Sequence, residues 1–202
     1  EHCLKDLTEN SPLREAGYRY VMTESPDERG IDVALLYKRG TFKWLGQSCI
    51  PVPYKEIERR PTRDILHVMG QVVSGDTLDV FVCHMPSRAG GEEKSEPYRL
   101  FTAQILKIAA DSVMNIRQHP NVMIMGDFND YPTNNSIAKV LGAVAPKGEV
   151  QARKLYNLMD GRKEGTYRYR GEWGVLDQLI VSGFLLQGNE GMRTSYDKAQ
   201  IL

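Results

Sequence analysis

The sequence lacks a surplus of charge of either sign, a long apolar run and a paired set of cysteines. Lysine plus arginine and aspartate plus glutamate each number 26, so the formal net charge is zero. No overall electrostatic field therefore favours nucleic acid or an anionic membrane. No run of about 18 apolar residues is present to span a bilayer. The three scattered cysteines, Cys3, Cys49 and Cys83, indicate neither a disulfide framework nor a zinc site.

Several motifs that identify enzyme classes are also missing. The sequence has no Gly-rich phosphate loop of the P-loop type, no Gly-x-Ser-x-Gly elbow, no Cys-x-x-Cys pair and no His-Glu-x-x-His helix. These absences argue against the enzyme classes that the missing motifs identify. Because the net charge is zero, any anion that the protein binds must be held by side chains and backbone groups close to it.

The composition is that of a globular protein. The 202 residues are 41% hydrophobic and 26% charged, close to globular averages. No repeat, low-complexity tract or linker divides them, so we predict a single domain over 1–202. Apolar or alternating segments predict strands at 18–23, 31–37, 42–50, 63–73, 77–84, 122–125, 166–170 and 175–182.

Helical periodicity is strongest over 97–118, with Pro97 in the first turn. The predicted buried stripe of this helix consists of Phe101, Ile105, Ile108, Ser112, Val113 and Ile116. A shorter helix is predicted from residue 134 or 135 to residue 141, with an asparagine cap and Gly142 as its end. Many strands with few helices predict an α+β sandwich of two packed sheets with helices outside. Regular βα alternation, as in a Rossmann fold, is absent.

Both ends of the sequence indicate a fragment of a longer chain. The first residue is Glu1 rather than an initiator methionine, and the last, Leu202, follows no cap or turn. We therefore expect strands to be missing at both ends. The lack of a targeting segment leaves the localisation undetermined.

The sharpest chemical motif follows the apolar run at 122–125. After Gly126 come Asp127 and Asn129, which share one side of the chain because strand side chains alternate. A carboxylate and an amide placed together can hold a hard cation and a phosphate, or orient a water. The plainer interpretation is a strand followed by an Asp/Asn turn.

A second motif ends the predicted strand 77–84. His84 continues the apolar face of that strand and can donate to a phosphoryl oxygen, with Ser87 and Arg88 as further donors. The alternative is a capped strand end with a solvated arginine.

Two charged residues lie on otherwise apolar strand faces. Asp177 shares a face with Val175 and Val181, and an inward carboxylate is costly unless it is paired, for example by orienting a catalytic histidine. Arg63 begins a strand and can clamp a phosphate or an acidic neighbour. The alternatives are an aspartate bonded to backbone or at a wet edge, and an ordinary edge arginine. His67, in mid-strand, is interpreted as a packed core histidine.

A weaker feature is the segment 162–173, which interleaves cations with tyrosines and a tryptophan. Such a strip can bind phosphates and stack bases or sugars. A half-exposed strand has the same pattern.

Taken together and in this order, the motifs resemble the endonuclease/exonuclease/phosphatase (deoxyribonuclease-I-like) superfamily, above all a bacterial branch of unassigned substrate. Gly-Asp-Phe-Asn at 126–129 is the most specific match, followed by His-Met-Pro-Ser-Arg at 84–88, Leu-Asp-Gln at 176–178 and the apolar run at 29–37. The resemblance spans almost the whole chain. It implies an α+β fold, a four-layer αββα sandwich of two packed mixed or antiparallel sheets, incomplete here at both termini.

The resemblance also implies a phosphoesterase that needs Mg²⁺ or Mn²⁺ and attacks a phosphate ester with an activated water. Asp127 and Asn129 match residues beside the scissile phosphate and are the predicted metal ligands of this chain. His84 matches a donor to the phosphoryl oxygen, and Asp177 matches the aspartate that orients a second histidine. The predicted phosphate-binding residues are Arg63, Ser87 and Arg88.

Three residues of the family pattern are missing, the first of which is an early asparagine on the family's first strand. The main metal-binding glutamate should precede residue 1, and the second histidine has no counterpart because 183–202 contain no histidine. We therefore expect residues 1–202 alone to be nearly inactive. A non-catalytic binding module on the same scaffold and an unrelated β-sandwich, such as a carbohydrate-binding module, remain as alternatives. We expect a phosphate-ester substrate, with nucleic acid left open, and favour a monomer.

Overall fold

A six-stranded sheet forms the centre of the protein. The computed structural model describes residues 2–53, 60–188 and 191–201. The elements in chain order are α1 (His2–Glu9), α2 (Pro12–Glu15), β1 (Tyr18–Met22), β2 (Ala34–Lys38), β3 (Phe42–Ile50), β4 (Ile65–Val72), β5 (Thr77–His84), α3 (Glu92–Ile116), β6 (Val122–Asp127), a π helix (Ser136–Leu141), β7 (Leu155–Asn157), β8 (Tyr167–Tyr169), β9 (Glu172–Gly174), β10 (Asp177–Ser182), α4 (Gly183–Leu186) and a 3₁₀ turn (Tyr196–Lys198).

The central sheet has the order β3-β4-β5-β6-β10-β7. Its strands pair antiparallel except β5 and β6, which run parallel. Helix α3 makes the crossover that a parallel pair requires. Two antiparallel hairpins, β1–β2 and β8–β9, lie outside this sheet. The carboxyl ends of β5 and β6 therefore meet at one edge, beside the first residue of the antiparallel strand β10.

Each face of the sheet carries its own apolar core. On one face Phe81 and Ile124 pack with Leu106 of α3 and with the π helix. On the other face Leu66 and Val80 pack with apolar residues of the β1–β2 hairpin, and α1 and α2 lie against β1. The fold is mixed α+β, as predicted, with helices, a six-stranded sheet and a smaller sheet stacked in layers.

Helix α3 differs from the prediction in both its start and its buried face. It begins at Glu92, so Pro97 lies inside the helix. The predicted apolar stripe was right in part: Phe101, Ile105 and Val113 are partly buried against the core, whereas Ile108 and Ile116 are 61% and 74% exposed. The buried face consists of Ser95, Arg99, Thr102, Ala103, Leu106, Ala110 and Met114. The small side chains on that face let the helix approach the sheet closely. The buried polar side chains there have polar partners, and a search for apolar residues does not reveal such partners.

The shorter elements agree with the sequence in part. Predicted strands 42–50 and 77–84 match β3 and β5. The predicted short helix is the π helix, and Gly142 ends it in the left-handed conformation with φ of 70°. Strands β7 and β9 were not predicted, because three residues are too few for a periodic pattern to emerge.

The described residues show no helix with both the length and the apolar character needed to cross a bilayer. Cys83 is a buried free thiol, whereas Cys3 and Cys49 are exposed free thiols.

Candidate functional site

Three predicted site residues stand side by side at one end of the central sheet. His84, the last residue of β5, pairs across the ladder with Asp127, the last residue of β6. Asp127 also pairs with Asp177, the first residue of β10. Neighbouring strands lie about 4.8 Å apart, so the three side chains form a continuous row. We call this row the polar rim.

The backbone around Asp127 is shaped by Gly126 and Asn129. Gly126 has φ of 132°, and a Cβ there would lie 1.9 Å from the carbonyl oxygen of Cys83, so no side chain fits. Phe128 is fully buried and anchors the turn. Asn129 has φ of 50°, and its backbone N–H donates to Asp127 Oδ1 at 2.8 Å. The turn thereby fixes one carboxylate oxygen of Asp127 and leaves Oδ2 without a hydrogen bond among the described residues.

Asn129 is itself held by its side-chain amide. Its Nδ2 donates to the carbonyl oxygen of Met85 at 3.0 Å, which orients the amide oxygen away from that contact. In the described part of the chain this amide oxygen has no hydrogen-bond partner. It is therefore available to a ligand beside Asp127.

The Asp127 carboxyl has a raised pKa. Burial is the largest cause, and the charge of Asp177 adds to it, while the N–H of Asn129, His84 and Arg63 oppose it. A carboxylate in this state is a stronger proton acceptor than an ordinary surface aspartate.

His84 shifts in the opposite direction. Burial lowers its pKa, and the charges of Arg63 and Arg29 lower it further, against the opposing effect of Asp127. The imidazole is therefore neutral at pH 7. Its Nε2 lies 3.8 Å from Asp127 Oδ2, beyond hydrogen-bond distance, so neither group satisfies the other.

Arg63 lies two residues before β4 and is 5% exposed. Its Nη2 donates to the Met85 carbonyl at 2.8 Å, and its Nη1 contacts Asp27 Oδ2 at 3.3 Å. Burial lowers its pKa, although an arginine stays charged at all ordinary pH values. Nε of Arg63 is buried without a hydrogen-bond partner among the described residues. The residue is thus a buried cation behind the polar rim, not an edge arginine.

Arg88 and Ser87 occupy different surroundings. Arg88 Nε donates to the Asn129 carbonyl at 2.7 Å, and its Nη atoms pair with Glu92 and Asp130 at 2.9 and 3.1 Å. All three nitrogens thus contact protein acceptors, which gives Arg88 a structural contact with the Asn129 turn. The Ser87 hydroxyl lines a cavity next to Arg63.

Asp177 is exposed rather than turned inward, which corrects the expectation from its strand face. It is the first residue of β10, and at a strand end the side chain reaches solvent. Its backbone N–H donates to Thr166 Oγ1 at 3.1 Å. The next residue, Gln178, is buried and donates to the carbonyl oxygens of Asp130 and Val175.

His67 and the segment 162–173 lie outside the polar rim. His67 stacks on Phe81 at a centroid distance of 4.5 Å and bonds to Asp79 at 2.9 Å, as expected for a packed histidine. The 162–173 strip contains the β8–β9 hairpin, whose Tyr167, Tyr169 and Trp173 are exposed.

Sequence reasoning missed Asp27. This carboxylate is 7% exposed and pairs with both Arg29 and Arg63 at 2.9 and 3.3 Å. The Arg29 guanidinium holds the pKa of Asp27 well below its usual range. Asp27 lies in a polar loop between β1 and β2, where no periodicity or spacing distinguishes a buried carboxylate from a solvated one.

Known protein structures share this fold at low sequence identity. The catalytic domain of human Nocturnin, with a bound sulfate anion, is 18% identical with a TM-score of 0.62, and the match covers 88% of this chain and 66% of that one. The mannosyl-6-phosphatase Bt3783 of Bacteroides thetaiotaomicron is 16% identical with a TM-score of 0.60, covering 90% and 67%. TDP2 of D. rerio, complexed with a single strand DNA product, is 12% identical with a TM-score of 0.58, covering 84% and 64%.

The chain therefore spans about two thirds of the length of these proteins. No curated protein matches the sequence. A family model matches all of residues 1–202, and on this basis the chain belongs to the Endonuclease/Exonuclease/phosphatase family.

Proposed function

We propose that this protein hydrolyses a phosphate ester with a water molecule activated at the polar rim. The observation that carries the proposal is the ladder pairing of His84, Asp127 and Asp177 in one row. Two carboxylates and a neutral imidazole at one sheet end supply a proton acceptor and a hydrogen-bond donor within reach of one phosphate.

Asp127 accepts the proton of the attacking water in this proposal. Its Oδ1 is fixed by the Asn129 N–H, so Oδ2 faces the reacting groups in a defined orientation. The raised pKa of Asp127 brings its basicity closer to working pH. Asn129 holds the attacking water, which donates to its amide oxygen, or holds the phosphate through the second hydrogen of Nδ2, since the first donates to Met85.

His84 donates an N–H to a phosphoryl oxygen of the substrate. Its lowered pKa keeps the ring neutral, so one nitrogen carries a proton to donate and the other does not. A preorganised donor of this kind contributes about 3–4 kcal/mol to transition-state stabilisation. Asp177, at the exposed end of the rim, orients a neighbouring polar group. The buried Arg63 cation behind the rim makes the electrostatic potential at the rim more positive. Ser87 and Arg88 remain predicted phosphate-binding residues.

A divalent cation fits the free oxygens of Asp127 and Asn129. The described residues contain no group of three or more His, Cys, Asp or Glu side chains arranged to hold a metal ion. Mg²⁺, however, is commonly held by one or two carboxylates together with waters and substrate phosphates. Burial raises the pKa of Asp127 and the charge of Asp177 adds to it, and a bound cation offsets that charge. When bound, Mg²⁺ or Mn²⁺ supplies charge stabilisation on the phosphoryl oxygens.

The proteins with similar folds act on different phosphate esters. Bt3783 is a mannosyl-6-phosphatase, TDP2 is seen with a single strand DNA product, and ANGEL2 is a 2′,3′-cyclic phosphatase. These names support a phosphoesterase activity for this protein, with a sugar phosphate or a nucleic acid as the candidate substrate.

The test is hydrolysis of bis-p-nitrophenyl phosphate by the natural protein with Mg²⁺ or Mn²⁺. Asp127→Asn should lower kcat by about 100-fold or more, because the proton acceptor is lost. Asp197→Asn, at an exposed aspartate of the 3₁₀ turn, is the matched control and should leave kcat unchanged. An Asp127→Asn variant with wild-type kcat would remove Asp127 from the mechanism.

A second candidate is a module that binds a phosphate ester without hydrolysing it. The small number of acidic and histidine ligands among the described residues favours it. In that case the wild-type protein binds phosphate esters in calorimetry, and its hydrolysis rate does not rise with Mg²⁺ or Mn²⁺.

A further inference from the structure

A cavity of about 230 Å³ lies beside the polar rim and is lined by three arginines. Its lining includes Asp27, Arg29, Arg60, Thr62, Arg63 and Ser87. Pockets for drug-sized ligands usually measure about 300–1,000 Å³. This cavity therefore suits one small group of a ligand rather than a whole ligand. We call it the arginine pocket.

Hydrogen bonds outside the lining of the arginine pocket join the two segments that carry Arg29 and Arg63. Asp32 Oδ1 accepts from the Ser25 N–H at 2.6 Å and from the Thr23 hydroxyl at 3.0 Å. The Asp64 N–H donates to Ser25 Oγ at 3.0 Å. These contacts tie the β1–β2 loop, which carries Arg29, to the segment that carries Arg63. The segments that carry Arg29 and Arg63 are thus held next to each other.

The charge of the pocket is positive after its internal pairs are counted. Both oxygens of Asp27 are bonded to Arg29 and Arg63. Glu28 is the other carboxylate among the described lining residues, so three guanidinium groups face two carboxylates in the described part of the pocket. Arg60 is exposed and has no ion-pair partner among the described residues. Arginine guanidinium groups and hydroxyls are the donors that bind phosphate in proteins.

The arginine pocket is adjacent to the reacting groups but separate from them. None of His84, Asp127, Asn129 or Asp177 lines it. Arg63 joins the two, because it bonds to the carbonyl of Met85, the residue directly after His84. The charge of Arg29 also reaches His84, whose pKa it lowers. A chemical group of the ligand that is bound in the arginine pocket is thus close to the polar rim but does not itself react there.

We propose that the arginine pocket binds a second phosphate of the substrate, one that is not hydrolysed, through Arg29, Arg60 and the Ser87 hydroxyl. The inference rests on the proposed function and narrows it to substrates with at least two phosphates. Arg63 acts as the buried support of the pocket, since its Nη atoms contact Asp27 and Met85. No bond is made or broken in this pocket.

The first experiment measures binding of inorganic phosphate by calorimetry and does not need catalysis. The double variant Arg29→Gln and Arg60→Gln should bind phosphate about tenfold more weakly or worse, because two charge-assisted donors are lost. Arg39→Gln, at an exposed arginine after β2, is the matched control and should bind as the wild type does. Equal phosphate affinity in the double variant and the wild type overturns the proposal.

The second experiment compares two substrates of the natural protein. These are the p-nitrophenyl ester of thymidine 5′-phosphate and the same ester with an added 3′-phosphate. The added phosphate should lower KM about tenfold, and the double variant should show the same KM for the two esters. Identical KM values for the two esters in the wild type contradict the inference while leaving the hydrolase intact. If neither ester is hydrolysed but the double variant loses phosphate binding, the proposed function fails and the arginine pocket stands.

Discussion

Arg63 and Asn129 donate to the same oxygen atom, the carbonyl of Met85. The Nη2 of Arg63 does so at 2.8 Å and the Nδ2 of Asn129 at 3.0 Å. One carbonyl thereby fixes the buried cation and the amide beside the polar rim together. Loss of either side chain leaves that carbonyl with a single side-chain donor.

Arg63→Met should destabilise the protein by about 2–3 kcal/mol. The variant leaves the Asp27 carboxylate with only Arg29 and removes a donor from the Met85 carbonyl, both in buried surroundings. Urea unfolding measures the free energy of unfolding. Arg39→Met, at an exposed arginine, is the control and should change stability by less than about 0.5 kcal/mol. Equal midpoints for Arg63→Met and the wild type contradict a supporting role for Arg63.

Gly126→Ala should cost about 3 kcal/mol or more, since the new Cβ would lie 1.9 Å from the Cys83 carbonyl oxygen. That oxygen belongs to the backbone of β5, the neighbouring strand, and has no free direction in which to move. Gly148→Ala serves as the comparison, because Gly148 also has positive φ but nothing within 4 Å of the added atom. It should cost only about 1–2 kcal/mol. Similar losses of stability in the two variants would show that the positive φ of Gly126, and not the contact with the Cys83 carbonyl oxygen, makes this glycine necessary.

The pKa of His84 should move in opposite directions in two variants. Asp127→Asn removes a negative charge that favours the imidazolium, so the His84 pKa falls further. Arg29→Gln removes a positive charge that opposes the imidazolium, so the pKa rises. NMR titration of the His84 ring proton from pH 4 to 8 is the measurement. Shifts of the same sign in both variants are incompatible with this arrangement of charges.

Cys83 should be inert to thiol reagents in the folded protein. Its thiol is fully buried and burial strongly raises its pKa, whereas Cys3 and Cys49 are exposed. Ellman's reagent should therefore titrate two thiols in the native protein and three in urea. Burial also raises the pKa of Cys49, so Cys49 should react more slowly than an ordinary exposed thiol. Three fast thiols under native conditions would show that the centre of the sheet opens readily.

The strand pattern placed each residue of the polar rim at the end of a strand, whereas the family resemblance implied that these residues form one site. His84 and Asp127 follow apolar runs that have no local reason to end in a titratable group, and Asp177 precedes one. Their register in the ladder places them together.

Other features of the site were not predictable. Asp27 lies in a polar loop, and only its distances to Arg29 and Arg63 reveal that it is buried. The buried face of α3 carries Arg99, whose Nε lies 2.7 Å from Asp130 Oδ1, so a count of apolar residues selects the wrong face. Such partners lie far apart in sequence, and periodicity carries no information on them.

The parallel pairing of β5 with β6 has a consequence for how the protein matures. His84 and Asp127 become neighbours only after the intervening α3 crossover has been synthesised and docked, and Asp177 joins them only once β10 has been added. Pairings between distant segments form slowly because loop-closure entropy must be overcome first. A nascent chain that has emerged only as far as β6 therefore holds at most the His84–Asp127 part of the polar rim, and the full row forms only when β10 has been added.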